Sequence, residues 1–344
     1  MQARIKKAEI DAFKLQASFI VTNTTLPILG YIKFEVEGDY CRITKSNNEA
    51  FLVRTVSCDS EDCSFLVEET VLYSFADFST SEYINFQDDG NRIRIYDERT
   101  NTKSPTDRSE LFPPIEKNIE DWMPICKLAL VTAGIAGQLV FNGEVMNAKS
   151  FVFVGRGKVA GTDGNIGYYQ TIGEPLPELV LRKDVAACIS KMNTCQYCRV
   201  NNYDFFKEDN SIYGFAKSEY GFMDLAQVFP GIREELTFCV NKSSIMKFNV
   251  HCLTSTKSKV EGVTFDCEGD NLFLQMLEEK WEVETKANIP VKGKNPGKFK
   301  YSPTYMNNLL KLLPCDEVFF YPGHNRYYIT DAEKSFLSAI MLII

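Results

Sequence analysis

Histidine and tryptophan are scarce in this sequence. The chain has 344 residues, of which two are histidine and two are tryptophan. A Ser-His-Asp triad needs a histidine beside its nucleophile, and zinc sites take their ligands from histidine and from paired cysteines. His251 and His324 stand far apart and outside any ligand spacing. The scarcity therefore argues against a triad hydrolase and against a histidine-based metal site.

Long apolar runs are absent as well. No segment approaches the roughly eighteen apolar residues that a membrane-spanning helix needs. The first residues, MQARIKKAEIDAFK, include basic side chains but no apolar core behind them, so no secretory signal is expected. The expected location is the cytoplasm.

The cysteines do not form an obvious metal or disulfide framework. There are eleven of them, an odd number, and most are scattered through apolar segments, as is typical of reduced thiols in a reducing compartment. Cys195 and Cys198 form a CQYC pair, but a zinc site needs about four ligands and no second pair stands nearby. Cys58 and Cys63 lie far away in the acidic segment CDSEDC. We therefore expect no metal and no other cofactor.

An excess of positive charge is missing too. Lysine and arginine number 38 against 46 acidic residues, so the net charge is -8. This balance argues against a protein coated in a basic DNA-binding surface. A local basic surface on an acidic body stays compatible with it, because attraction to phosphates depends on where the charges lie.

Internal repetition is the strongest positive feature of the sequence. A strand, a glycine-containing turn and a second strand are predicted three times, from Thr24, Asn142 and Thr256. A second theme, with a strand, an amphipathic helix and further strands, is also predicted three times. Its copies begin at Phe65, Leu179 and Phe299. The copies are roughly 115 residues apart, so the chain reads as three similar units.

Each predicted unit contains two helices and about eight strands. A helix precedes the first theme in each copy, in EIDAFKLQASFI, MPICKLALVTAGIAG and NKSSIMKFNVHCL. Phe-Pro and charge clusters interrupt the pattern at residues 112–122 and 229–236. The predicted fold class is α+β, with domains at residues 1–118, 119–233 and 234–344.

Several short segments, in their order along the chain, resemble segments of the bacterial beta sliding clamp, the DNA polymerase III beta subunit. The segment TLPILG at 25–30 matches that family's first-domain signature, and GTDG at 161–164 is similar to its ATDG turn. SELFPPIEK and GFMDLAQVFPGI are similar to the segments that end its first two domains. The resemblance extends through all three units.

The resemblance implies a fold, an assembly and a role. In this family each domain packs two helices on small antiparallel sheets, and three domains form half of a ring. Two chains close head to tail into a six-domain homodimeric ring around double-stranded DNA, which the ring holds without sequence preference. The family holds DNA polymerase and the clamp loader through short peptide motifs and supplies processivity in replication. It implies no intrinsic catalysis, and it implies a bacterial cytoplasm, or a host cytoplasm if a phage or plasmid encodes the chain.

Basic residues on the predicted inner helices are the expected DNA-facing residues. In the fourth helix Val185 and Ile189 have core spacing, while Lys183 and Lys191 share the other side. A loop that often carries arginine in the family has Asn23 instead. The full expected set is Lys14, Asn23, Lys127, Lys183, Lys191, Lys247, His251 and Lys311.

The resemblance implies that the loop at 161–167 forms one wall of a partner-peptide pocket. A Met-rich apolar groove suits many partners because it is adaptable. The chain departs from the family's usual residues at Asn165, Ile166 and Gly167, which implies an altered peptide preference. The pocket is expected to comprise Met146, Thr162, Gly164, Asn165, Ile166, Gly167, Met223, Val228, Ser338, Ile340, Met341 and Leu342. Ile166→Asp, or removal of residues 340–344, is expected to abolish peptide binding and leave the fold intact.

The family's subunit junction maps onto a polar segment here. RTNTKSPTDRS, at residues 99–109, stands where the family has apolar residues, so the interface is expected to be more polar. The resemblance implies interface roles for Thr102 and Ser104 on one side and for Cys252 and Leu253 on the other.

Two other classes of function stay open at this point. One is a hydrolase that uses the 161–167 loop, although GTDGNIG lacks the Gly-Lys-Ser/Thr of a P-loop and lies between two predicted strands. The other is a structural or partner-binding β-rich protein with no DNA role.

Overall fold

The computed structural model describes residues 2–22, 25–116, 119–141, 147–223, 238–255, 262–268, 270–278, 283–293, 298–323 and 325–342. Within these residues six α-helices form: α1 Lys7–Gln16, α2 Glu69–Phe78, α3 Lys127–Gly137, α4 Lys183–Ile189, α5 Lys242–Ser255 and α6 Pro303–Leu312. None of these helices has the length and the apolar character that a bilayer crossing requires.

The strands fall into three groups along the chain. The first group is β1 Gln2–Lys6, β2 Tyr31–Glu37, β3 Tyr40–Ser46, β4 Ala50–Ser57, β5 Asp59–Ser60, β6 Cys63–Glu68, β7 Tyr83–Asp88, β8 Arg92–Tyr96 and β9 Asn101–Pro105. The second is β10 Met123–Ile125, β11 Phe151–Gly155, β12 Lys158–Thr162, β13 Ile166–Thr171, β14 Leu179–Arg182, β15 Cys195–Val200, β16 Tyr203–Glu208 and β17 Ser211–Ala216. The third is β18 Phe238–Asn241, β19 Val263–Glu268, β20 Asn271–Glu278, β21 Val283–Pro290, β22 Lys292–Gly293, β23 Phe299–Tyr301, β24 Glu317–Pro322, β25 Arg326–Thr330 and β26 Leu337–Met341.

The three groups repeat one plan of strand pairing. In each group the first strand pairs with the strand that follows the second helix, as β1–β7, β10–β15 and β18–β24. The strand after the first helix pairs with the strand before the second helix, as β2–β6, β11–β14 and β19–β23. All of these pairs are antiparallel. The predicted α+β class and the threefold repetition are therefore confirmed.

The chain divides into two compact units, which do not follow the boundaries of the repeats. Unit 1 comprises residues 1–125 and 192–217, and unit 2 comprises residues 126–191 and 218–344. The second repeat is thus shared between the units, since its last three strands belong to unit 1 and its two helices belong to unit 2. The division into domains at 118 and 233 stays a prediction.

Unit 1 contains two sheets and the helices α1 and α2. Its sheets have the strand orders β5-β1-β7-β8-β9 and β10-β15-β16-β17-β4-β3-β2-β6. Alternating side chains of β2 point inward, because successive residues of a strand face opposite sides, whereas β6 buries three successive residues, Phe65 to Val67. Phe34, Phe65 and Phe86 pack there with ring centroids 4.9 to 5.6 Å apart. This aromatic cluster forms the centre of the first repeat's core.

Unit 2 contains the other two sheets and the helices α3 to α6. Its sheets have the strand orders β14-β11-β12-β13-β26-β25-β24-β18-β22 and β21-β20-β19-β23. Phe238, Phe265 and Phe320 form the corresponding aromatic cluster, with centroids 4.9 to 5.5 Å apart. Gly134 allows α3 and α4 to pack closely, because a Cβ at this position would lie only 2.5 Å from the Cβ of Ser190.

Two ladders join one repeat to the next by the same rule. The third strand after the first helix of one repeat pairs with the last strand of the following repeat. These ladders are β4–β17 and β13–β26, and both are antiparallel. The strands that correspond to them at the two ends of the series are β21 and β9, and each is the last strand of its sheet among the described strands.

Candidate partner groove and helix surfaces

The turn between β12 and β13 is closed by its own side chains. Thr162 Oγ1 accepts a hydrogen bond from Gly164 N at 2.9 Å and donates to Ile166 O at 2.7 Å. Asp163 Oδ1 accepts from the backbone N–H groups of Asn165 and Ile166 at 2.7 and 2.8 Å. Gly164 has φ +94°, which a side chain would strain. Threonine and aspartate therefore build the turn, as their side chains commonly do.

This turn meets the C-terminal strand through a ladder. β13 pairs with β26 so that Ile166 lies opposite Ile340 and Gly167 lies opposite Ala339. Met341 N donates to Asn165 O at 2.7 Å and extends the contact to the tip of the turn. Asn165 Nδ2 also donates to the hydroxyl of Tyr305 on α6 at 3.3 Å. The turn, the terminal strand and α6 thus hold one another in place.

A groove of about 370 Å³ opens beside this turn. Its walls come from the turn, from the start of β13, from β26 and from the segment after β17. The residues that line it are Ala148, Lys149, Thr162, Gly164, Asn165, Ile166, Gly167, Met223, Arg326, Ala339 and Met341. The predicted pocket residues that the structure brings together are therefore Thr162, Gly164, Asn165, Ile166, Gly167, Met223 and Met341.

Three predicted pocket residues lie outside the lining. Ser338 and Ile340 have no exposed surface, because they alternate with Ala339 and Met341 and point to the other face of β26. Leu342 is half-buried and does not line the groove; its backbone N–H donates to Asn325 O at 3.1 Å. Met146 and Val228 lie outside the described residues.

The structure also corrects the expectation that the fold survives changes at this site. Ile166 is only 4% exposed, so a carboxylate there would be buried without a partner. Residues 340 and 341 belong to β26, which pairs on both sides, with β13 and with β25. Ile166→Asp and removal of residues 340–344 would therefore disturb folding together with the groove.

The sequence reasoning missed four lining residues, which are Ala148, Lys149, Arg326 and Ala339. The period of two along β26 was the available signal for Ala339, because it shares a strand face with Met341. Lys149 comes near the turn through folding alone, where its Nζ lies 2.5 Å from the position of a Cβ on Gly164. Among the described lining residues two side chains are cationic and none is acidic.

The predicted basic residues of the helices lie on exposed positions in unit 2. Lys127, Lys183, Lys191, Lys247, His251 and Lys311 are all exposed. The core spacing predicted for α4 is confirmed, since Val185 and Ile189 are buried opposite Lys183. In α5, Ile245, Phe248 and Cys252 are buried opposite Lys247 and His251.

The two remaining predicted DNA-facing residues differ from this set. Lys14 on α1 is held by Asp77 on α2, with its Nζ 2.5 and 2.6 Å from the two carboxylate oxygens. Its Nζ also lies 5.4 Å from the centre of the Tyr73 ring. Asn23 lies outside the described residues.

The four predicted interface residues have unequal access to solvent. Thr102 is half-buried, while Ser104 is fully buried and its Oγ bonds to Glu68 N and Pro105 O within the chain. Cys252 has no exposed surface, because it faces the core side of α5. Leu253 is 37% exposed. Of the two residues predicted on α5, Leu253 alone is accessible to a partner.

All eleven cysteines are free thiols, of which seven are buried and four are half-buried. Cys195 and Cys198 lie on β15 and are buried, and Cys198 Sγ donates to Glu120 O at 3.0 Å. Burial raises the pKa of the Cys195 thiol to about 12. Across the described ranges no group of three or more histidine, cysteine, aspartate or glutamate side chains has an arrangement that could hold a metal ion.

Comparison with known proteins gives a clear structural result. No protein-family model matches the sequence, and no curated protein matches it. The fold is similar to the Caulobacter crescentus beta sliding clamp, with a TM-score of 0.88, 14% identity, and coverage of 100% of this chain and 99% of that one. It is also similar to the DNA polymerase sliding clamp of Bacillus subtilis, with a TM-score of 0.87, 14% identity and coverage of 100% and 99%. The DNA polymerase III subunit beta of Pseudomonas aeruginosa gives a TM-score of 0.87, 15% identity and full coverage of both chains.

These similarities extend over the whole chain, so they include all three repeats. The identities are only 14 to 15%, so what these similarities show is the fold. The chain has the fold of the bacterial DNA polymerase III beta sliding clamps.

Proposed function

We propose that this chain is a DNA sliding clamp. Two copies close head to tail around duplex DNA, and the groove beside the β12–β13 turn tethers DNA polymerase and other replication proteins through short peptides. The chain itself catalyses no reaction and acts in the cytoplasm. The fold shared with the sliding clamps of several bacteria supports this proposal in general terms.

The observation that carries the proposal is the unfinished series of strand ladders. The chain joins repeat to repeat twice by the same antiparallel pairing, in β4–β17 and β13–β26. The next ladder of the series would need β21 and a copy of β9, and both are edge strands among the described strands. A sheet edge exposes unpaired backbone groups and favours pairing with another chain. Two copies joined by β21 and β9 in both directions would complete the series and close the assembly.

The two edge strands β9 and β21 are polar. The junction between copies is therefore expected to be weaker than a junction built on apolar contacts. β9 has the sequence NTKSP, and β21 has the sequence VETKANIP. Lys103 and Glu284 already form ion pairs within the chain, with Asp89 and Lys286. Backbone pairing rather than a large apolar contact would therefore hold the junction, and Leu253 would add an apolar contact beside it.

The closed turn supports a binding role over a hydrolytic one. Thr162 Oγ1 and Asp163 Oδ1 are engaged with the backbone of residues 164–166. A nucleophile needs a base within hydrogen-bond reach, and neither residue has such a partner in the turn. The Met-lined groove beside it instead fits a docked peptide.

The assembly is tested by light scattering over a concentration series. The proposal expects a mass that rises to twice 39.1 kDa, with an equilibrium visible at low concentration because the junction is polar. The Leu253→Glu substitution should shift the equilibrium toward single chains. A mass of one chain at every concentration, both with and without duplex DNA, would contradict the proposed ring.

A further inference from the structure

The helices of the two units differ in charge. In unit 2, α3 to α6 carry Lys127, Lys183, Lys242, Lys247 and Lys311 against one acidic residue, Asp184. In unit 1, α1 and α2 carry Lys7 and Lys14 against Glu9, Asp11, Glu69 and Asp77. The helices thus form a basic set and an acidic set, although the chain as a whole is acidic.

Ion pairs inside unit 1 neutralise both lysines of its helices. Lys7 Nζ lies 2.6 Å from Asp11 one turn along α1. Lys14 Nζ lies 2.5 Å from Asp77 on α2. A lysine held by a carboxylate offers a phosphate little net attraction, because the approaching anion meets a neutral pair.

Apolar residues also occupy the solvent side of these helices. Leu15 follows Lys14 and is 77% exposed, and Phe78 follows Asp77 and is 71% exposed. Leu15 and Phe78 give the surface around the Lys14–Asp77 pair an apolar character. Apolar side chains are exposed on α3 and α5 as well, as at Leu128, Val131 and Val250, so the pairing of the lysines is what distinguishes the two sets of helices.

The lysines of unit 2 lie in a different setting. Lys183, Lys247 and Lys311 are exposed and make no ion pair with any described residue. The single aspartate of these helices, Asp184, is held by Arg182 at 2.5 Å, and this pairing lowers the pKa of the Asp184 carboxyl. The α5–α6 pair contains no acidic residue at all. Its two exposed lysines keep their full charge for a phosphate.

We infer that the phosphates of duplex DNA are held by α3 to α6, and that α1 and α2 contribute no net attraction. This inference rests on the proposed function, because it assumes a duplex bound at the helices. The protein would hold DNA through two of its three repeats, and the helices of the first repeat would offer the duplex no net attraction. Binding would then be independent of the DNA sequence, because lysines that contact phosphates do not contact the bases.

The test compares two double variants. One is K247Q/K311Q on α5 and α6, and the other is K14Q/D77N, which removes both members of the Lys14–Asp77 pair on α1 and α2. Glutamine is a good helix former and asparagine is close to aspartate in helix propensity, so both variants should keep their helices, which circular dichroism and thermal unfolding would verify. Binding of a fluorescein-labelled duplex is measured by fluorescence anisotropy at several salt concentrations for the full-length protein.

The expected result is a selective loss. For K247Q/K311Q the slope of log K against log salt should fall by about 2, and affinity at low salt should fall about tenfold or more. K14Q/D77N should bind like the unaltered chain, because it removes a neutral pair. Equal losses in both variants, or no loss in K247Q/K311Q, would overturn the inference and leave the DNA role standing. Absence of salt-dependent duplex binding by the unaltered chain would overturn the proposed DNA role and this inference with it.

Discussion

Ile166 lies opposite Ile340 on the neighbouring strands β13 and β26, and both side chains are buried. This pair joins the start of the groove wall to the last strand of the chain, although 174 residues separate the two positions. The groove therefore depends on the completed fold of unit 2. Partner binding is best tested at positions that line the groove and remain exposed.

Met223 is such a position, since it lines the groove and is 43% exposed. We expect Met223→Asp to weaken partner-peptide binding by about tenfold or more, because a charge replaces an adaptable apolar contact. Fluorescence anisotropy with a peptide from a bacterial replicative polymerase that binds sliding clamps measures the effect. Met123→Asp is the matched control, because Met123 on β10 is 47% exposed and belongs to unit 1. Equal losses in the two variants would remove the groove from its proposed role.

Ser338 presents a buried hydroxyl with no hydrogen-bond partner among the described residues. An unsatisfied buried hydroxyl costs about 1 to 3 kcal/mol, so Ser338→Ala should raise the free energy of unfolding by about 1 kcal/mol. Ser104→Ala is the matched control and should lower it, because the equally buried Ser104 Oγ bonds to Glu68 N at 2.9 Å and to Pro105 O at 2.7 Å. Chemical denaturation of both variants measures the two changes. Loss of stability in Ser338→Ala would show that the hydroxyl has a partner in solution, such as a bound water.

Leu253 is the accessible apolar residue among the predicted interface positions. Leu253→Glu should weaken self-association by at least about tenfold, because a charged side chain would be buried at the junction. Analytical ultracentrifugation of the variant gives the change in dissociation constant. Leu15→Glu provides the control, since Leu15 is an exposed leucine on the first helix of another repeat. A variant that associates as tightly as the unaltered chain would place the junction elsewhere.

Stability should fall at alkaline pH because of buried thiols. Burial raises the pKa of Cys252 and of Cys267 from 9.0 to about 11. The folded state thus holds these protons more tightly than the unfolded state. The corresponding stabilisation is complete below pH 9 and is lost as the pH rises from 9 to about 11. Urea unfolding across this range measures the fall, and a Cys252→Ala variant should show a shallower one.

Much of the architecture was predictable because it follows from the spacing of apolar and polar residues within short segments. The strand–turn–strand and strand–helix themes recur three times, and the three copies of the strand–helix theme match the observed helices α2, α4 and α6. The burial of Val185 and Ile189 opposite Lys183 follows from the helical period alone. Patterns of this kind determine whether a segment forms a helix or a strand and which of its sides is buried. They therefore predict the fold class and the threefold repeat.

The candidate site was less predictable because it depends on partners that are distant in the sequence. The spacing of α1 indicates an exposed Lys14, but it carries no information on Asp77, which lies 63 residues later. The C-terminal segment predicts an apolar strand, yet its register against β13 decides that Ala339 faces the groove and Ile340 faces the core. Lys149 and Arg326 reach the groove only through the tertiary fold.

The most direct test of the account is retention on circular DNA. The protein is diluted until it is monomeric, mixed with nicked circular duplex, concentrated, and passed through gel filtration at a salt concentration that removes ionic binding. The account predicts that protein elutes with the circle and is released when a restriction enzyme cuts the circle to a linear molecule. Equal retention on circular and linear DNA, or none on either, would contradict a topological clamp.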